Sequence, residues 1–190
     1  MIEDHVDFDR HERVSFIGAD VIGVPAVLAI HRSAGGVAGG GIRFRPYASD
    51  ADMCADALRL SGAMSLKNVL ADIPIGGAKL VINGDASKQK TRDMMLALGR
   101  HIDTLSGAYI AGPDVGTTGA DMGVLAEATR WAIAVPGRGG DTSGPTAEGV
   151  LQGIRATARH VFGTDSVDGV SIAVQGAAGR VGQILCTLLA

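Results

Sequence analysis

The sequence has few cysteines, few aromatic residues and no histidine cluster. Cys54 and Cys186 are its two cysteines, and neither lies in a C-x-x-C motif or near histidines at zinc-ligand spacing. The five histidines have no mutual spacing typical of a metal site, so we expect no metal centre. We expect both cysteines to be small buried residues of a hydrophobic core.

Concentrated charge of one sign is also missing. Seventeen Lys and Arg against 20 Asp and Glu give a net charge of −3, without a basic run. Nucleic acids and anionic membranes are bound by concentrated positive charge, so we expect no nucleic-acid and no membrane partner, and a small molecule instead. No apolar run of ~18 residues occurs, and the start, MIEDHVDFDRHERV, is acidic where a secretory signal is basic. We therefore predict a cytoplasmic protein.

Glycine, in contrast, is abundant and clustered. The 190 residues include 28 glycines, concentrated at 35–41, 76–77, 137–144 and 176–182. We interpret these clusters as functional turns. The length suits one complete domain with part of a second, and 46% hydrophobic against 19% charged residues favours a packed globular protein over disorder.

Hydrophobic periodicity predicts alternating strands and helices, typical of an α/β fold. Residues 13–18 and 24–32 read as paired strands, and Ser49 as the N-cap of a helix over 50–68. Further along, the pattern predicts a strand at 78–82, a helix at 88–105, a strand at 108–111, a helix at 118–130, a long helix from near Pro145, a strand at 170–174 and a last helix to Ala190. The natural domain boundary is the loop at 137–144.

The last predicted unit carries a glycine pattern, VSIAVQGAAGRVGQIL, with glycines at 176, 179 and 182 between a strand and a helix. Glycines there allow a tight turn and close backbone approach, and the helix N-terminus attracts a pyrophosphate. The alternative is a turn that serves only packing.

Two lysines stand in the apolar segment GAMSLKNVLADIPIGGAKLVI, at Lys67 and Lys79. A lysine buried among apolar groups has a lowered pKa, which suits acid/base chemistry, so we expect both to be buried and chemically recruited. Gly76 and Gly77 allow a substrate close to the backbone. The alternative for either lysine is a solvated residue at an element end.

A third candidate is Asp114 in AGPDVGTTGADM, where it follows Pro113 at the end of a short strand. Strand ends are where α/β folds bind ligands. The alternative is an N-cap or turn carboxylate.

Together these segments resemble the glutamate/leucine/phenylalanine/valine dehydrogenase family. GGGIRFRPYASDADMCADALRLSGAMSLKNVLADIPIGGAKLVI is similar to the substrate-domain signature of its leucine, valine and phenylalanine members. GPDVGTTGADM resembles the next signature, and GGDTSGPTAEGVLQGIRA the interdomain helix. The resemblance implies a substrate-binding, catalytic and oligomerisation domain at 1–140, with a mixed sheet flanked by helices. It implies an interdomain helix and the first strand-turn-helix of a Rossmann NAD-binding domain at 141–190, in a homo-oligomer.

The resemblance also implies roles for single residues. Lys67 would bind the substrate α-carboxylate in a pocket with Gly40, Gly41 and Met64. Lys79 would be the catalytic acid/base, and Asp114 would take the proton of the substrate amine beside the nicotinamide. The expected cofactor is NAD, and its expected contacts are Arg43, Asp114, Ser143, Thr146, Gly176, Ala177, Ala178, Gly179, Arg180, Val181 and Gly182.

Three departures from the family pattern stand out. Ala78 occupies a usual glycine position before the catalytic lysine, which predicts a methyl group that crowds the substrate or shifts Lys79. The turn has one residue more between its first two glycines than G-x-G-x-x-G. The sequence stops at Ala190, before the acidic residue expected ~20 residues beyond the glycines, so we expect a C-terminally truncated family member.

Three hypotheses follow. The first is NAD-dependent oxidative deamination of an apolar L-amino acid to its 2-oxo acid and ammonium. The second is a catalytically inactive fragment that folds, oligomerises or binds amino acid without turnover. The third, a different nucleotide-dependent reductase class, rests only on the last glycine turn, and the upstream motifs argue against it.

Overall fold

A computed structural model describes residues 2–138 and 142–190. The chain divides into two compact units, Met1–Gly140 and Asp141–Ala190. Residues 139–141 of the predicted loop at 137–144 lie outside the described residues.

The first unit is built on a mixed sheet, as predicted. Within the described residues the sheet has five strands: β1 (Arg13–Ile17), β2 (Ala26–Arg32), β3 (Ala38–Arg45), β4 (Gly76–Asn83) and β5 (Tyr109–Pro113). Their order is β1-β2-β4-β3-β5. β2 is antiparallel to β1 and β4, whereas β3 is parallel to both β4 and β5. The predicted pairing of the first two strands is confirmed.

Helices cover both faces of this sheet. The first unit has a short 3-10 helix (Ile2–Asp4), α1 (Ala19–Ile22), α2 (Asp50–Leu70), α3 (Ala86–Gln89), α4 (Arg92–Asp103) and α5 (Gly119–Leu125). α2 packs on one face through Met53, Ala57 and Leu58, and Ser49 caps it by accepting from the Asp52 amide, as predicted. The other face buries Met95, Leu98, Ile102 and Met122. Each such side chain contributes about 1.5–3 kcal/mol on burial.

The glycine clusters of the first unit are mostly not turns, which corrects our interpretation. Gly35 and Gly36 do form a turn with positive φ, but the glycines at 39–41 lie inside β3 and those at 76–77 inside β4. A Cβ at Gly40 would stand 1.7 Å from the carbonyl oxygen of Ala78, and one at Gly77 would stand 2.1 Å from the Ser65 nitrogen. Glycine is needed there for close packing of β3 on β4 and of α2 on β4.

Two predicted helices have other bounds. The helix expected at 88–105 is divided into α3 and α4, because the Lys90 ammonium bonds to the Gly116 carbonyl and Asp121 while its backbone is extended. Thr91 then caps α4. The helix expected at 118–130 ends at Leu125, and its start is a capping box formed by Thr118 and Asp121.

The second unit consists of α6 (Ser143–Phe162) and α7 (Arg180–Leu189), which share a small core of Ala147, Leu151 and Leu185. The turn and helix of the predicted strand-turn-helix are confirmed. The strand at 170–174 is wrong: these residues have no ladder partner in the described part of the chain. A strand depends on a neighbour for its backbone hydrogen bonds.

The two cysteines differ. Cys54 is buried beside α2 core residues, whereas Cys186 is exposed on α7, so the predicted burial is wrong for Cys186. α7 directs Leu185 into its core, and the next residue along a helix points about 100° away. Among the described residues, no helix is both long and apolar enough to cross a membrane.

Candidate active site

The centre of the candidate site is an ion pair between Lys79 and Asp114. Lys79 lies within β4 and is only 5% exposed. Asp114 follows β5, and its Oδ2 stands 2.9 Å from the Lys79 Nζ. The parallel strands β4, β3 and β5 lie in that order, so residues 35 positions apart meet across β3. Both predicted catalytic residues are therefore brought together.

Strand alternation decides which face Lys79 occupies. Ala78, Leu80 and Ile82 belong to one core face, and successive side chains of a strand point to opposite faces. Lys79 therefore lies on the α2 face, away from the methyl group of Ala78. The predicted crowding by Ala78 is wrong, because that methyl group is buried in the core on the other side.

The Asp114 loop is held by Thr117. The Thr117 hydroxyl accepts from the Asp114 amide at 2.9 Å and donates to the Ile42 carbonyl on β3 at 2.7 Å. Gly116 has a φ of +81°, and a Cβ there would meet the Phe44 carbonyl oxygen at 1.9 Å. The N-cap of α5 is Thr118. The alternative of Asp114 as a capping residue is wrong, since its side chain faces Lys79.

Arg43 joins this pair to a second carboxylate. Its Nε donates to Asp114 Oδ2 at 2.8 Å, and its Nη1 donates to Asp56 Oδ2 at 2.9 Å. The Tyr47 hydroxyl donates to the same Asp56 oxygen at 2.7 Å, and Arg59 pairs with Asp56 Oδ1. The result is a continuous chain of charges from Lys79 to the surface.

These contacts shift the pKa values of the pair in the same direction for different reasons. Burial lowers the pKa of the Lys79 ammonium below its ordinary 10.5 and outweighs the Asp114 charge, while Arg43 lowers it further. Burial would raise the pKa of Asp114, but its hydrogen bonds and ion pairs with Lys79 and Arg43 prevail and hold it below 3.8. Asp114 is thus an anion at neutral pH, beside a lysine that deprotonates more readily than usual.

Glycines of β3 line the space beside the pair. At Gly41 a Cβ would stand 2.8 Å from the Asp114 Cβ and 3.1 Å from the Lys79 Nζ. At Gly40 it would stand 3.5 Å from Met64 Cγ on α2. The Tyr109 hydroxyl fixes this segment by donating to the Gly40 carbonyl at 2.9 Å. Gly41 therefore lies next to the ion pair, and Gly40 lies next to Met64. The role of these three residues in substrate binding stays a prediction.

Lys67 differs from Lys79. It is exposed in the last turn of α2, so the predicted burial is wrong for this lysine, which matches the alternative of a solvated residue at a helix end. Its ammonium forms no ion pair with any described residue. It follows Met64 by three positions, and such residues share one helix face. Lys67 therefore lies on the same side of α2 as Met64, which is the side that faces Gly40.

The second unit carries the remaining predicted residues. Ser143 is the buried first residue of α6, and the exposed Thr146 donates its hydroxyl to the Thr142 carbonyl. In the turn, Gly176 has a φ of +77°, and a Cβ at Gly182 would meet the Gly176 oxygen at 2.2 Å. Gly179 is the N-cap of α7, which begins at Arg180. The extra residue therefore leaves a tight glycine turn packed against a helix.

Asp56, Tyr47 and Thr117 are the site residues that sequence reasoning missed. One signal was available for Asp56, which follows Met53 by three positions and precedes Ala57 in the apolar stripe of α2. An acidic residue at such a position needs a buried partner. Nothing comparable marks Tyr47 or Thr117.

A comparison with protein families shows the family of this chain. Residues 18–131 match the family described as Glu/Leu/Phe/Val dehydrogenase, dimerisation domain, which is more than half of the chain. The chain belongs to this family. The resemblance drawn from the four motifs is thereby confirmed, and the match argues against a different reductase class.

Similar proteins are amino-acid dehydrogenases. A valine dehydrogenase from Streptomyces virginiae is 44% identical over 184 residues, which cover 95% of this chain and 51% of that protein. A phenylalanine dehydrogenase from Thermoactinomyces intermedius is 42% identical, covering 94% of this chain and 50% of that protein. A leucine dehydrogenase from Bacillus cereus is 43% identical, with coverages of 93% and 49%. This chain spans about half the length of the relatives it matches.

Solved structures agree. L-tryptophan dehydrogenase from Nostoc punctiforme superposes with a TM-score of 0.69 at 36% identity, over 94% of this chain and 51% of that one. Hetero-hexameric glutamate dehydrogenase from Thermus thermophilus gives a TM-score of 0.71 at 19% identity, over 94% and 47%. The second likeness shows the fold alone.

Proposed function

We propose that this chain carries the substrate half of an enzyme that oxidatively deaminates an apolar L-amino acid with NAD. The observation that carries the proposal is the ion pair between the buried Lys79 and the half-buried Asp114, beside the side-chain-free backbone of Gly41. The similar valine, leucine and phenylalanine dehydrogenases support the reaction class.

Substrate binding is assigned to Lys67, Gly40, Gly41 and Met64. An amino acid is a zwitterion, so its carboxylate needs a cation and its ammonium needs a base. Lys67 offers an exposed ammonium without an ion-pair partner among the described residues, on the helix face that borders Gly40. A carboxylate bound there would place the amine toward Asp114.

Proton transfer is assigned to Asp114 and Lys79. The anionic Asp114 accepts a proton from the substrate ammonium, since hydride can leave Cα only after the nitrogen lone pair is free. Loss of the hydride gives an iminium. Lys79, with its lowered pKa, then acts as base for the water that attacks that carbon, and the carbinolamine expels ammonia to give the 2-oxo acid.

A bound nicotinamide dinucleotide would supply the hydride acceptor. The turn fits its phosphates, because a tight turn at Gly176 and backbone contact at Gly182 are what a pyrophosphate-binding turn needs. Arg43 donates its Nε–H to Asp114 and an Nη1–H to Asp56, so its Nη2 is left to contact the cofactor. The other proposed contacts are Asp114, Ser143, Thr146, Ala177, Ala178, Gly179, Arg180 and Val181.

Assembly and location belong to the same proposal. The matched family is described as a dimerisation domain, and one structural neighbour is a hexamer, so we propose a homo-oligomer with residues 1–140 as its substrate and oligomerisation domain. Residues 141–190 would connect to and begin the NAD-binding domain. A cytoplasmic location stays a prediction.

One observation favours a second candidate function, an inactive fragment that binds amino acid weakly. Residues 170–174 should be the first strand of the nucleotide-binding domain, yet they have no strand partner among the described residues. A glycine turn that does not follow a paired strand lacks the sheet edge at which such folds bind dinucleotides.

One experiment separates the two. NADH formation from leucine, valine and phenylalanine is measured at 340 nm for the purified chain, for Lys79→Ala and for Lys88→Ala, whose side chain is exposed at 79%. The proposal expects turnover that falls by roughly 10²–10⁴-fold in Lys79→Ala only. Equal turnover in both variants would contradict the role of Lys79. A chain that neither turns over nor binds NAD supports the second function.

A further inference from the structure

We infer that Asp56 is a positioning residue of this site: it holds the Arg43 guanidinium so that two donors converge on one oxygen of Asp114 and leave the other oxygen for the substrate amine. This inference rests on the proposed function for the identity of the amine. The contacts among Asp56, Arg43 and Asp114 that support it can be tested whether or not the chain turns over substrate.

The first step is the fixed geometry of Arg43. Its side chain is 18% exposed, and it bridges Asp56 on α2 and Asp114 after β5 from its place on β3. A guanidinium is planar and rigid, so anchoring Nη1 also fixes the direction in which Nε–H points. The Asp56 carboxylate thus sets the donor that reaches Asp114 at 2.8 Å.

The second step is that Asp56 is itself held firmly. Its side chain is 10% exposed, its Oδ2 accepts from both Arg43 and Tyr47, and its Oδ1 pairs with Arg59. Hydrogen bonds to an ionised group are shorter than neutral ones and roughly twice as strong. Hydrogen bonds from Tyr47 and Arg43 hold the pKa of Asp56 below 3.8 against the opposing effect of burial, so it stays an anion.

The third step concerns the two oxygens of Asp114. Lys79 Nζ at 2.9 Å and Arg43 Nε at 2.8 Å both contact Oδ2. Oδ1 has no hydrogen-bond partner among the described residues. Rotation of the carboxylate would break both of these contacts to Oδ2, so Oδ1 stays directed away from the two donors. Without the Asp56 anchor, Arg43 can turn and Asp114 can rotate onto Lys79 with both oxygens.

The test observes Arg43 directly and needs neither cofactor nor substrate. Protein with ¹⁵N-labelled arginine is compared as wild type, Asp56→Asn and the matched control Glu127→Gln, which loses an exposed carboxylate paired with Arg92. Hydrogen exchange of the Arg43 Nε–H is measured by NMR, with Arg43→Lys used for assignment. We expect exchange roughly ten- to a hundredfold faster in Asp56→Asn, and unchanged in Glu127→Gln.

A second readout follows the Asp114 carboxyl carbon through an acid titration. Release of Arg43 removes one of the two cations that stabilise the Asp114 anion, so its midpoint should rise toward 3.8 in Asp56→Asn. Unchanged exchange together with an unchanged Asp114 titration would overturn the inference. If Asp56→Asn does not fold, Tyr47→Phe carries the test: severalfold faster Nε–H exchange supports the inference, and wild-type exchange overturns it.

Failure of the proposed function has a different signature. A chain that shows these NMR changes but no turnover keeps the positioning role of Asp56 and loses the enzyme proposal for this chain. A chain that turns over while Arg43 is insensitive to Asp56 gives the opposite result.

Discussion

At the scale of single residues, the site depends on side chains that are absent as much as on those present. Lys79 and Asp114 can meet beside β3 because Gly41 has a hydrogen atom where any other residue has a Cβ atom. The absence of a side chain at this point also leaves room for a small substrate. The sequence shows the glycines but not what they face.

We predict that Gly41→Ala disrupts the ion pair. The added Cβ would stand 2.8 Å from the Asp114 Cβ and 3.1 Å from the Lys79 Nζ, so one of the two side chains must move. Such overpacking costs about 1–3 kcal/mol, measurable by urea unfolding. Gly62→Ala is the control, because a Cβ there meets nothing within 4 Å and alanine favours a helix. Equal stability of Gly41→Ala and wild type would contradict the packing described.

We predict that His11 makes the fold acid-sensitive. Burial lowers its pKa below 6.5, supported by the charges of His31 and Arg32 and opposed by the Leu58 carbonyl and Asp9. A depressed folded pKa means that the unfolded chain binds the proton first. The contribution of His11 to stability is therefore complete above pH 6.5 and is lost as the pH falls through the folded pKa.

The measurement is urea unfolding at about pH 7.5 and about pH 5, where histidine changes its charge. The loss of stability between the two pH values should be smaller in His11→Gln than in wild type. Identical pH dependence would show that His11 is not the sensitive group. His31, Arg32 and Asp9 are the same in both proteins and serve as the internal reference.

At the scale of elements, strand formation follows the availability of neighbours. β4 has a paired strand on each side, whereas residues 170–174, which are mostly apolar and rich in β-branched residues, have no described partner. Val170 and Ile172 are accordingly left exposed. Residues such as Val and Ile favour strands because they pack well on the surface of a sheet. The preference therefore produces no strand where no sheet is present.

We predict that this contrast appears in hydrogen exchange. Amides of residues 170–174 should exchange at rates near those of an unstructured peptide, and amides of β4 should be protected to the level of global unfolding. Mass spectrometry after peptic digestion measures both in one sample. Protection at 170–174 in the purified chain would mean that another strand pairs with it, for instance in an oligomer.

At the scale of the whole molecule, the core is unevenly divided. The first unit contains the sheet and both of its apolar faces, while the second has a core of three buried residues. A chain that spans about half of its relatives thus still contains one well-formed hydrophobic core.

We predict that residues 2–138 fold alone. They contain every strand that the structure describes, so their thermal unfolding by circular dichroism should be cooperative, with well-dispersed amide resonances in NMR spectra. The complete chain is the control. A truncated protein that melts without a cooperative transition would show that the second unit is needed for the first to fold.

Much of this protein follows from its sequence alone. Spacing and apolar periodicity predict the paired first strands, α2 with its Ser49 cap, and the position of Asp114 after a strand. The order of four motifs, namely the two substrate-domain signatures, the interdomain helix and the glycine turn, identifies the family. Each motif is a short continuous segment, so it can be recognised without knowing what it packs against.

The tertiary structure decided which residues meet. The burial of Lys79 and the exposure of Lys67, both in apolar sequence, depend on which face of a strand or helix points into the protein. The glycines of β3, the orientation of Ala78 and the contact of Asp56 with Arg43 depend on neighbours that are distant in the chain. Charge and close packing act through space, so a linear pattern names the candidates while the fold selects their partners.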